Sequence, residues 1–323
     1  MEIHLVLLII LAFFLLSVCI AILATMAGIG GGVIFTPIML AFTNINSLII
    51  RATGLIVAMF SSPISIGVFT KKGLTNFRLT LVMAICQSLG ALGGAVLAVT
   101  VATEAGVAGE GAMRLALGLI LMAVAVYFFI GGSKTEWPVV KKIDKFTRLL
   151  RLDQNYFKDS DGTVREYKLT RAFPSMVLLF VIGIIGGFFG MGGGWAITPT
   201  LNMVMGMPMR LAAVNSGFIL GIGGGVSIWP FIFAGGIIPL FVLPWLAGQI
   251  VGGYIGARLL ARVRIAIVRM VLIGIMFFTS FTLIMRGADL LGVIGATPPV
   301  VDVGVFIIIM IVTLYMIVRK PKS

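Results

Sequence analysis

Long apolar stretches separated by short polar ones make up most of this chain. Nine of the stretches are about 20 residues long, the length that an α-helix needs to cross the hydrocarbon core of a bilayer. Two shorter apolar stretches, 33–43 and 195–206, each follow a glycine cluster and are too short to span. The pattern predicts an all-α, polytopic membrane protein. The predicted spans are 3–24, 48–70, 79–101, 112–132, 173–190, 211–233, 237–257, 268–285 and 303–318.

The composition agrees with a membrane location. Of the 323 residues, 60% are hydrophobic and only 11% are charged. A soluble domain carries about 25% charged residues, so this chain cannot cover a surface that faces water on all sides. With Cys19 and Cys86 as its two cysteines, the chain cannot be a small disulfide scaffold either.

The net charge of +13 would suggest nucleic acid in a soluble protein, but here the basic residues sort by loop. If the basic loops and the segment 133–172 are cytoplasmic, every span alternates in direction and 21 of the 24 Lys and Arg lie inside. We therefore expect a multi-pass protein of the cell's inner membrane, with its N-terminus outside, its C-terminus cytoplasmic and no nucleic-acid partner. The three basic residues left outside are Arg51, Arg114 and Arg286.

The N-terminal stretch is expected to remain as a helix. Its start carries Glu2 and His4 rather than Lys or Arg, and no A-x-A cleavage site is well placed, so a signal peptide is disfavoured.

The segment 133–172 is the one long polar stretch. Within it, residues 139–151 predict a helix lying on the anionic inner leaflet, because apolar and basic residues fall on opposite sides. Asp161-Gly162 stands between two short alternating runs and predicts a β-hairpin over 155–168. A regulatory role and a plain solvated linker both remain open for the segment. The apolar side of the predicted helix consists of Ile143, Phe146, Leu149 and Leu150.

The chain contains an internal repeat with an offset of 162 residues. AGIGGGVIFTP at 27–37 aligns with FGMGGGWAITP at 189–199, and without a gap Gln87 then aligns with Gln249. The predicted spans of the two copies run in opposite directions, an inverted arrangement typical of secondary transporters. Each copy is expected to hold a glycine-hinged helical pair and three transmembrane helices. The chain thus divides into a first transmembrane repeat (1–132), a cytoplasmic basic linker (133–172) and a second transmembrane repeat with a C-terminal helix (173–323).

The glycine clusters predict hinges inside the membrane. Each helical glycine costs about 1 kcal/mol relative to alanine, and unwound backbone at membrane depth is tolerated where it is buried in protein or lines a wet cavity. Each cluster leads into a short segment with a Thr-Pro pair, so we expect a half-helix whose N-terminus attracts an anion. Close packing is the alternative role. The residues concerned are Gly30, Gly31, Gly32 and Thr36 in the first copy and Gly192, Gly193, Gly194 and Thr198 in the second.

Uncharged polar residues on the following helices extend the predicted binding site. Ser61-Ser62-Pro63 aligns with Gly223-Gly224-Gly225, about 20 Å into each helix, and predicts a second break near the bilayer centre. Uncharged donors of this kind suit a partly dehydrated oxyanion. The predicted substrate-binding set therefore adds Thr53, Ser61, Ser62, Gln87, Asn215, Ser216, Gly223, Gly224 and Gln249. Other glycines, spaced by four, predict helix packing instead: Gly90, Gly94, Gly252 and Gly256.

No Asp, Glu, Lys or His falls near the middle of a predicted span, where proton-coupled pumps generally carry such a group. His4 and the two separated cysteines form no metal site or nucleophilic constellation, and the glycine runs lack the Lys of a P-loop. We therefore expect no enzymatic activity, no metal and no cofactor. Voltage alone favours anion efflux from a negative interior by about 2.3 kcal/mol per charge per 100 mV, and movement of a protonated substrate stays open.

The motif GxGGG followed by Thr-Pro in both copies, together with LAAVNSGFILGI at 211–222, resembles the TauE/SafE family of membrane permeases. The resemblance covers nearly the whole chain and implies export of small sulfur oxyanions or organosulfonates, such as sulfite or sulfoacetate. The chain departs from the family pattern at Lys72-Gly73-Leu74-Thr75 and Gly235-Gly236-Ile237-Ile238, where the turn lacks its carboxylate.

The sequence thus predicts a secondary transporter that exports a small anion by alternating access, with the substrate held at half-helix N-termini. The alternatives are a passive anion channel, a transporter of a non-sulfur solute, and a scaffold that recruits partners through 133–172. The expected partners are the anionic substrate and the lipid bilayer, and a homodimer is left open.

Overall fold

The computed structural model of the chain describes residues 2–27, 30–43, 45–61, 75–130, 140, 142–152, 155–158, 164–259, 265–295 and 304. The first repeat contributes α1 (Glu2–Ala27), α2 (Gly32–Phe42), α3 (Ser47–Ser61), α4 (Phe77–Glu104) and α5 (Gly106–Ile130). The linker contributes α6 (Lys145–Leu149), β1 (Asn155–Lys158) and β2 (Val164–Tyr167). The second repeat contributes α7 (Ala172–Phe189), α8 (Gly194–Pro199), a π-helix (Thr200–Val204), α9 (Met209–Ser227), α10 (Trp229–Phe233), α11 (Pro239–Leu259) and α12 (Ile265–Leu290).

Seven helical segments of the described chain are long and apolar enough to cross a membrane, which confirms the predicted polytopic all-α class. They correspond to α1, α4, α5, α7, α9 with α10, α11 and α12. Of the predicted span 48–70, the structure describes α3, and residues 62–70 lie outside the described part. The predicted span 303–318 also lies outside it except for Gly304. Long apolar side chains cover the outward faces of α1, α4 and α7, as a lipid-facing surface requires; examples are Leu8, Leu81 and Phe173.

The two repeats pack by exchanging helices. α1 lies along α11, and α4 lies along α7. Because α11 is the repeat equivalent of α4, the first helix of each repeat packs on the same later helix of the other repeat. α5 and α12, which occupy equivalent places in the repeats, pack on each other. Each of these pairs joins one helix from each repeat, and most of the interface between the repeats comes from this exchange.

Glycines set the closeness of the exchanged pairs. A Cβ on Gly90 would lie 2.0 Å from the carbonyl oxygen of Phe180, and a Cβ on Gly252 would lie 2.4 Å from that of Val18. Gly252 stands 162 residues after Gly90, and Val18 stands 162 residues before Phe180. The second contact is therefore the repeat equivalent of the first, and the repeat in sequence is also a repeat in packing. Gly94 and Gly256 make the corresponding close approaches to Ile184 and Ile22. The predicted packing role of these four glycines is confirmed. The inverted orientation of the repeats relative to a bilayer stays a prediction.

Both predicted hinges are present. α1 ends at Ala27, and Gly30 has a φ of +81° before α2 begins at Gly32. In the second repeat, α7 ends at Phe189, and Gly192 has a φ of +69° before α8 begins. Glycine is required at Gly30 and Gly192, because a side chain disfavours this left-handed backbone. In each repeat a long helix therefore ends shortly before a glycine with left-handed backbone, and a short helix follows it.

The predicted second break is wrong in the second repeat. α9 runs as one helix from Met209 to Ser227, straight through Gly223, Gly224 and Gly225. The interruption falls at Ile228, two residues before Pro230, because a proline has no N–H to donate to the carbonyl four residues earlier, here that of Val226. In the first repeat α3 ends at Ser61, and Ser62 and Pro63 lie outside the described residues.

The linker is docked on the second repeat. The predicted hairpin is confirmed, because β1 and β2 pair antiparallel, while its turn at Asp161-Gly162 lies outside the described residues. Leu152, Tyr167 and Leu169 are buried in the same hydrophobic cluster as residues of α7 and α9. Burial raises the pKa of Tyr167, and a hydrogen bond from Asn76 Nδ2 (3.3 Å) opposes that rise. A plain solvated linker does not describe this segment.

The linker helix is shorter than predicted, at Lys145–Leu149 instead of 139–151. Phe146 and Leu150 pack against the protein cluster, with the Phe146 ring edge-on to Phe173 at 5.6 Å, whereas Leu149 is 75% exposed. The four predicted apolar residues therefore do not form one membrane-facing side. Asp144 determines where this helix begins, because its carboxylate caps the N-terminus of α6.

Asp144 also ties α6 to the start of α7. Its carboxylate accepts hydrogen bonds from the Thr147 amide (3.1 Å), the Thr147 hydroxyl, the Thr170 hydroxyl (3.2 Å) and the Arg171 amide (2.6 Å). Partial burial on its own would raise the pKa of Asp144, but the bonds from Thr147 and Arg171 outweigh it and hold the pKa below its ordinary value. The charged carboxylate is therefore part of what holds the linker to the bundle.

Candidate transport site

The two hinges meet in the interior, where α3 and α9 pack together. A Cβ on Gly32 would lie 2.8 Å from the carbonyl oxygen of Met191, so the backbones of the two hinges touch. A Cβ on Gly192 would lie 2.7 Å from Leu220 Cδ1 and 2.9 Å from Ala58 Cβ. Ala58 and Leu220 occupy equivalent positions in the two repeats. The structure thus brings the two predicted glycine clusters together, although Gly28 lies outside the described residues.

The two threonines of the Thr-Pro pairs anchor the short helices. Thr36 Oγ1 donates to the carbonyl oxygen of Gly190 (2.8 Å), and Thr198 Oγ1 lies 2.7 Å from Ser216 Oγ. Ser216 aligns with Gly54, where a Cβ would lie 2.0 Å from Thr36 Oγ1. In both repeats the threonine therefore points to the same position of the following long helix. Thr36 ties α2 to the second hinge, and Thr198 ties α8 to α9.

Gln249 presents an acceptor to the first hinge. Ser17 Oγ gives its one proton to the Trp245 carbonyl (2.6 Å), so it can only accept from Gln249 Nε2 (3.3 Å). The other side of the amide therefore faces the hinge, and a Cβ on Gly31 would lie 2.5 Å from Gln249 Oε1. This oxygen is buried without a hydrogen-bond donor among the described residues. It lies where α2 begins, which is electrostatically favourable for an oxygen acceptor.

Gln87, the counterpart of Gln249, lies against α9. A Cβ on Gly223 would lie only 1.6 Å from Gln87 Oε1, so the missing side chain at Gly223 makes room for the amide. Gln87 Oε1 is also buried with no donor among the residues described. Each repeat therefore places one glutamine oxygen, unpaired and buried, against a glycine that sequence analysis assigned to the site.

Several predicted site residues have their polar groups occupied inside the protein. Asn215 Oδ1 accepts from the Asn76 amide (2.9 Å) and the Thr80 hydroxyl (2.7 Å), which ties α9 to the start of α4. Thr53 and Ser61 donate to carbonyls of their own helix, those of Ile49 and Ala58. The remaining predicted glycines pack at close range: a Cβ on Gly193 would meet Ile182 and Ile197, and one on Gly224 would meet Met59. Gly194 is the buried first residue of α8, and Ser62 lies outside the described residues.

Arg51 is the residue that sequence analysis missed. Loop sorting assigns it to the outer end of the predicted span 48–70, and the structure leaves it only 1% exposed, on α3 beside the second hinge. A Cβ on Gly190 would lie 2.4 Å from Arg51 Cα, and the Arg51 guanidinium carbon lies 5.9 Å from the ring centre of Phe188. Its Nε and Nη1 have no acceptor among the described residues. The available signal was a lone cation within the first turns of an otherwise apolar helix.

A second arginine is buried nearby on α5. Arg114 is 8% exposed, its Nη2 pairs with Glu110 at 2.6 Å, and its Nε has no acceptor within the described chain. Arg51 interacts electrostatically with both residues: Glu110 attracts its guanidinium charge, and Arg114 repels it. Two of the three basic residues that loop sorting leaves on the outer side, Arg51 and Arg114, are therefore buried inside the protein.

A family model described as "Sulfite exporter TauE/SafE" matches residues 13–283, which cover both hinges, both glutamines and Arg51. The chain belongs to the TauE/SafE family. This is a family of membrane transporters and not of enzymes. In the part of the chain that the structure describes, no three His, Cys, Asp or Glu side chains form a group that could hold a metal ion.

The relatives are distant in sequence, and two bacterial ones match over most of their own length. The chain is 22% identical over 270 residues to "Probable membrane transporter protein YunE" of Bacillus subtilis (strain 168), covering 81% of this chain and 93% of that protein. It is 26% identical over 230 residues to "Probable membrane transporter protein ORF9" of a Sinorhizobium species, covering 71% and 75%. A shorter similarity, 28% over 95 residues, relates 29% of the chain to 22% of "Sulfite exporter TauE/SafE family protein 6" of Arabidopsis thaliana. No solved structure matches the chain.

Proposed function

We propose that this TauE/SafE protein is a secondary transporter that exports a small anion, a sulfur oxyanion or organosulfonate, across the inner membrane by alternating access. The observation that carries the proposal is the meeting of the two glycine hinges, one from each repeat, between α3 and α9. The sulfur substrate class follows from the family description and from the name of the Arabidopsis relative.

The hinges suit a change between two arrangements. Gly30 and Gly192 hold left-handed backbone, and Thr36 and Thr198 join the short helices that follow them to the second hinge and to α9. Small rotations about these turns move α2 and α8 without breaking the long exchanged helix pairs. Substrate bound between the hinges would then meet one side of the membrane and afterwards the other.

The membrane potential supplies a driving force for export. Each negative charge that leaves an interior at −100 mV gains about 2.3 kcal/mol, a roughly fifty-fold concentration ratio. An anion exporter that follows this gradient does not need a second coupled ion.

Flux measurements on purified full-length protein in liposomes test the proposal. Vesicles loaded with radiolabelled sulfite should release it faster than protein-free vesicles, the rate should saturate, and external sulfite should accelerate exchange of the label. Unitary currents without counter-exchange would instead identify a passive channel. Wild-type protein that moves neither sulfite nor sulfonates, while correctly folded, would contradict the proposal.

Gly192→Ala tests the hinge, and Gly235→Ala is its matched control. Both glycines have a φ near +70°, so alanine strains the two backbones similarly, but Gly235 has open space around it, while a Cβ on Gly192 would meet Leu220 and Ala58. We expect sulfite flux to fall about tenfold in Gly192→Ala and to stay near wild type in Gly235→Ala. Equal flux in both variants would contradict a role of the hinge in transport.

A further inference from the structure

We infer that Arg51, on α3 beside the C-terminal end of α7, is the cation that binds the transported anion, and that Arg114 on α5 assists it. The inference rests on the proposed anion transport and gives it a binding residue that motif comparison alone did not indicate.

The energetics of Arg51 point to a missing partner. A guanidinium that is withdrawn from water costs several kcal/mol unless an opposite charge and hydrogen bonds replace its hydration. Arg51 is 1% exposed, and both Nε and Nη1 lack an acceptor among the described residues. The ring of Phe188, at 5.9 Å, gives only a weak contact. A bound oxyanion would supply the acceptors that the protein does not.

The surroundings of Arg51 compensate its charge only in part. The C-terminal end of α7, capped by Gly190, abuts the Arg51 backbone and carries about half a negative charge. Glu110 is the acidic group acting on Arg51, but its carboxylate already pairs with Arg114. Two buried guanidinium groups and one carboxylate therefore act on one another electrostatically, and together they keep a net positive charge that suits a singly or doubly charged oxyanion.

The two buried arginines belong to the first repeat only. The position equivalent to Arg51 in the second repeat is Ala213, and the one equivalent to Arg114 is Met276. Two repeats that share their packing therefore differ in charge at this place. If the predicted topology holds, the cations lie toward the outer side, where an exported anion arrives after passing the hinges.

Arg51→Met in full-length protein separates a binding role from a structural one. Removing an unpaired buried charge should leave the thermal stability of the ligand-free protein unchanged or higher, because the methionine side chain is easily buried. The stabilisation that added sulfite gives to wild type should disappear, and the KM for sulfite flux should rise about tenfold or more. Arg51→Lys keeps the charge and should recover part of both effects. Arg78→Met, which removes an exposed arginine on α4, should retain both.

Glu110→Gln gives a second test with the opposite sign. Removing the competing carboxylate should tighten sulfite binding, since Arg51 and Arg114 then face the anion alone. Two results for Arg51→Met would overturn the assignment of Arg51. One is flux at the wild-type rate with unchanged sulfite affinity, and the other is flux at the wild-type rate with lower stability of the ligand-free variant. Absence of any anion flux in wild type would instead contradict the proposed function.

Discussion

Ser280 Oγ donates a 2.6 Å hydrogen bond to the carbonyl oxygen of Gly118, a residue that stands 162 positions earlier in the chain. The separation equals the offset of the internal repeat, so Ser280 is bonded to its own counterpart. Two equivalent residues can touch only where the two repeats meet face to face. α5 and α12, which are equivalent helices of the two repeats, therefore face each other. The equivalent residues Ala58 on α3 and Leu220 on α9 likewise both lie beside Gly192.

The Ser280–Gly118 contact should contribute to stability through both residues. Ser280→Ala removes one buried hydrogen bond and should lower the free energy of unfolding by about 1 kcal/mol. Gly118→Ala should cost more, since its Cβ would lie 2.7 Å from Ile284 Cγ1 and 3.0 Å from the Ser280 carbonyl oxygen. Thermal unfolding in detergent measures both effects. Thr100→Ala is the control, because the exposed Thr100 hydroxyl bonds only to carbonyls of its own helix.

The exchanged pair α4 and α7 should be sensitive to side-chain size at one glycine and insensitive at its neighbour. A Cβ on Gly94 would lie 2.1 Å from the Ile184 carbonyl oxygen, whereas one on Gly93 would meet nothing within 4 Å. We expect Gly94→Ala to destabilise the protein by about 1–3 kcal/mol. Gly93→Ala should be neutral or stabilise by up to about 1 kcal/mol, because alanine is the better helix former. Equal melting temperatures for the two variants would contradict the packing described here.

Gln87 and Gly223 should behave as a coupled pair. Gly223→Ala places a Cβ on the Gln87 amide oxygen and should reduce both stability and flux. Gln87→Ala makes space for that Cβ, so the double variant should recover the stability lost in Gly223→Ala. If Gln87 contacts the substrate, the double variant should still transport poorly. Recovery of flux together with stability would show that Gln87 acts only in packing.

Docking of the linker should depend on pH through Asp144. Its pKa is lower in the folded protein, so its stabilising contribution is complete above the ordinary aspartate pKa and is lost as pH falls through the lower folded value. Asp144→Ala should remove the contribution at every pH and cost about 0.5–2 kcal/mol, as expected for loss of an N-cap. Limited proteolysis by trypsin at Lys145 or Arg148, carried out at neutral pH, compares Asp144→Ala with wild type, and thermal unfolding at pH values from about 7 down to about 3 follows the pH dependence. Asp289→Asn, at the end of α12, should leave the cleavage rate unchanged.

Hydropathy and repeat analysis predicted the local features of the fold correctly. The seven long helices, the two hinges and the hairpin follow from segment length, glycine placement and alternation, all of which act over a few residues. The packing glycines were also predictable, because spacing by four places small residues on one helix face.

The candidate site was predicted only in part. The hinge glycines do meet, and Gln87 and Gln249 do lie beside predicted glycines. Asn215, however, is occupied in tying α9 to α4, and the second-repeat break lies at Ile228 rather than at Gly223–Gly225. A buried amide is expected to form hydrogen bonds, but the sequence does not say with which residues. The donors to Asn215 Oδ1 lie at the start of α4, more than a hundred residues away in the chain.

The sequence by itself determined which segments are long and apolar enough to cross a membrane, where the two glycine hinges lie and that the chain contains an internal repeat. These properties depend on the apolar length of a segment and on the backbone freedom of single glycines. Only the tertiary structure decided which helix packs on which, that Gln249 offers its oxygen to Gly31, and that Arg51 is buried beside Gly190. Burial and hydrogen-bond partners depend on residues from the other repeat, so no local pattern around Arg51 distinguishes an arginine at a membrane surface from one buried beside Gly190 and Phe188.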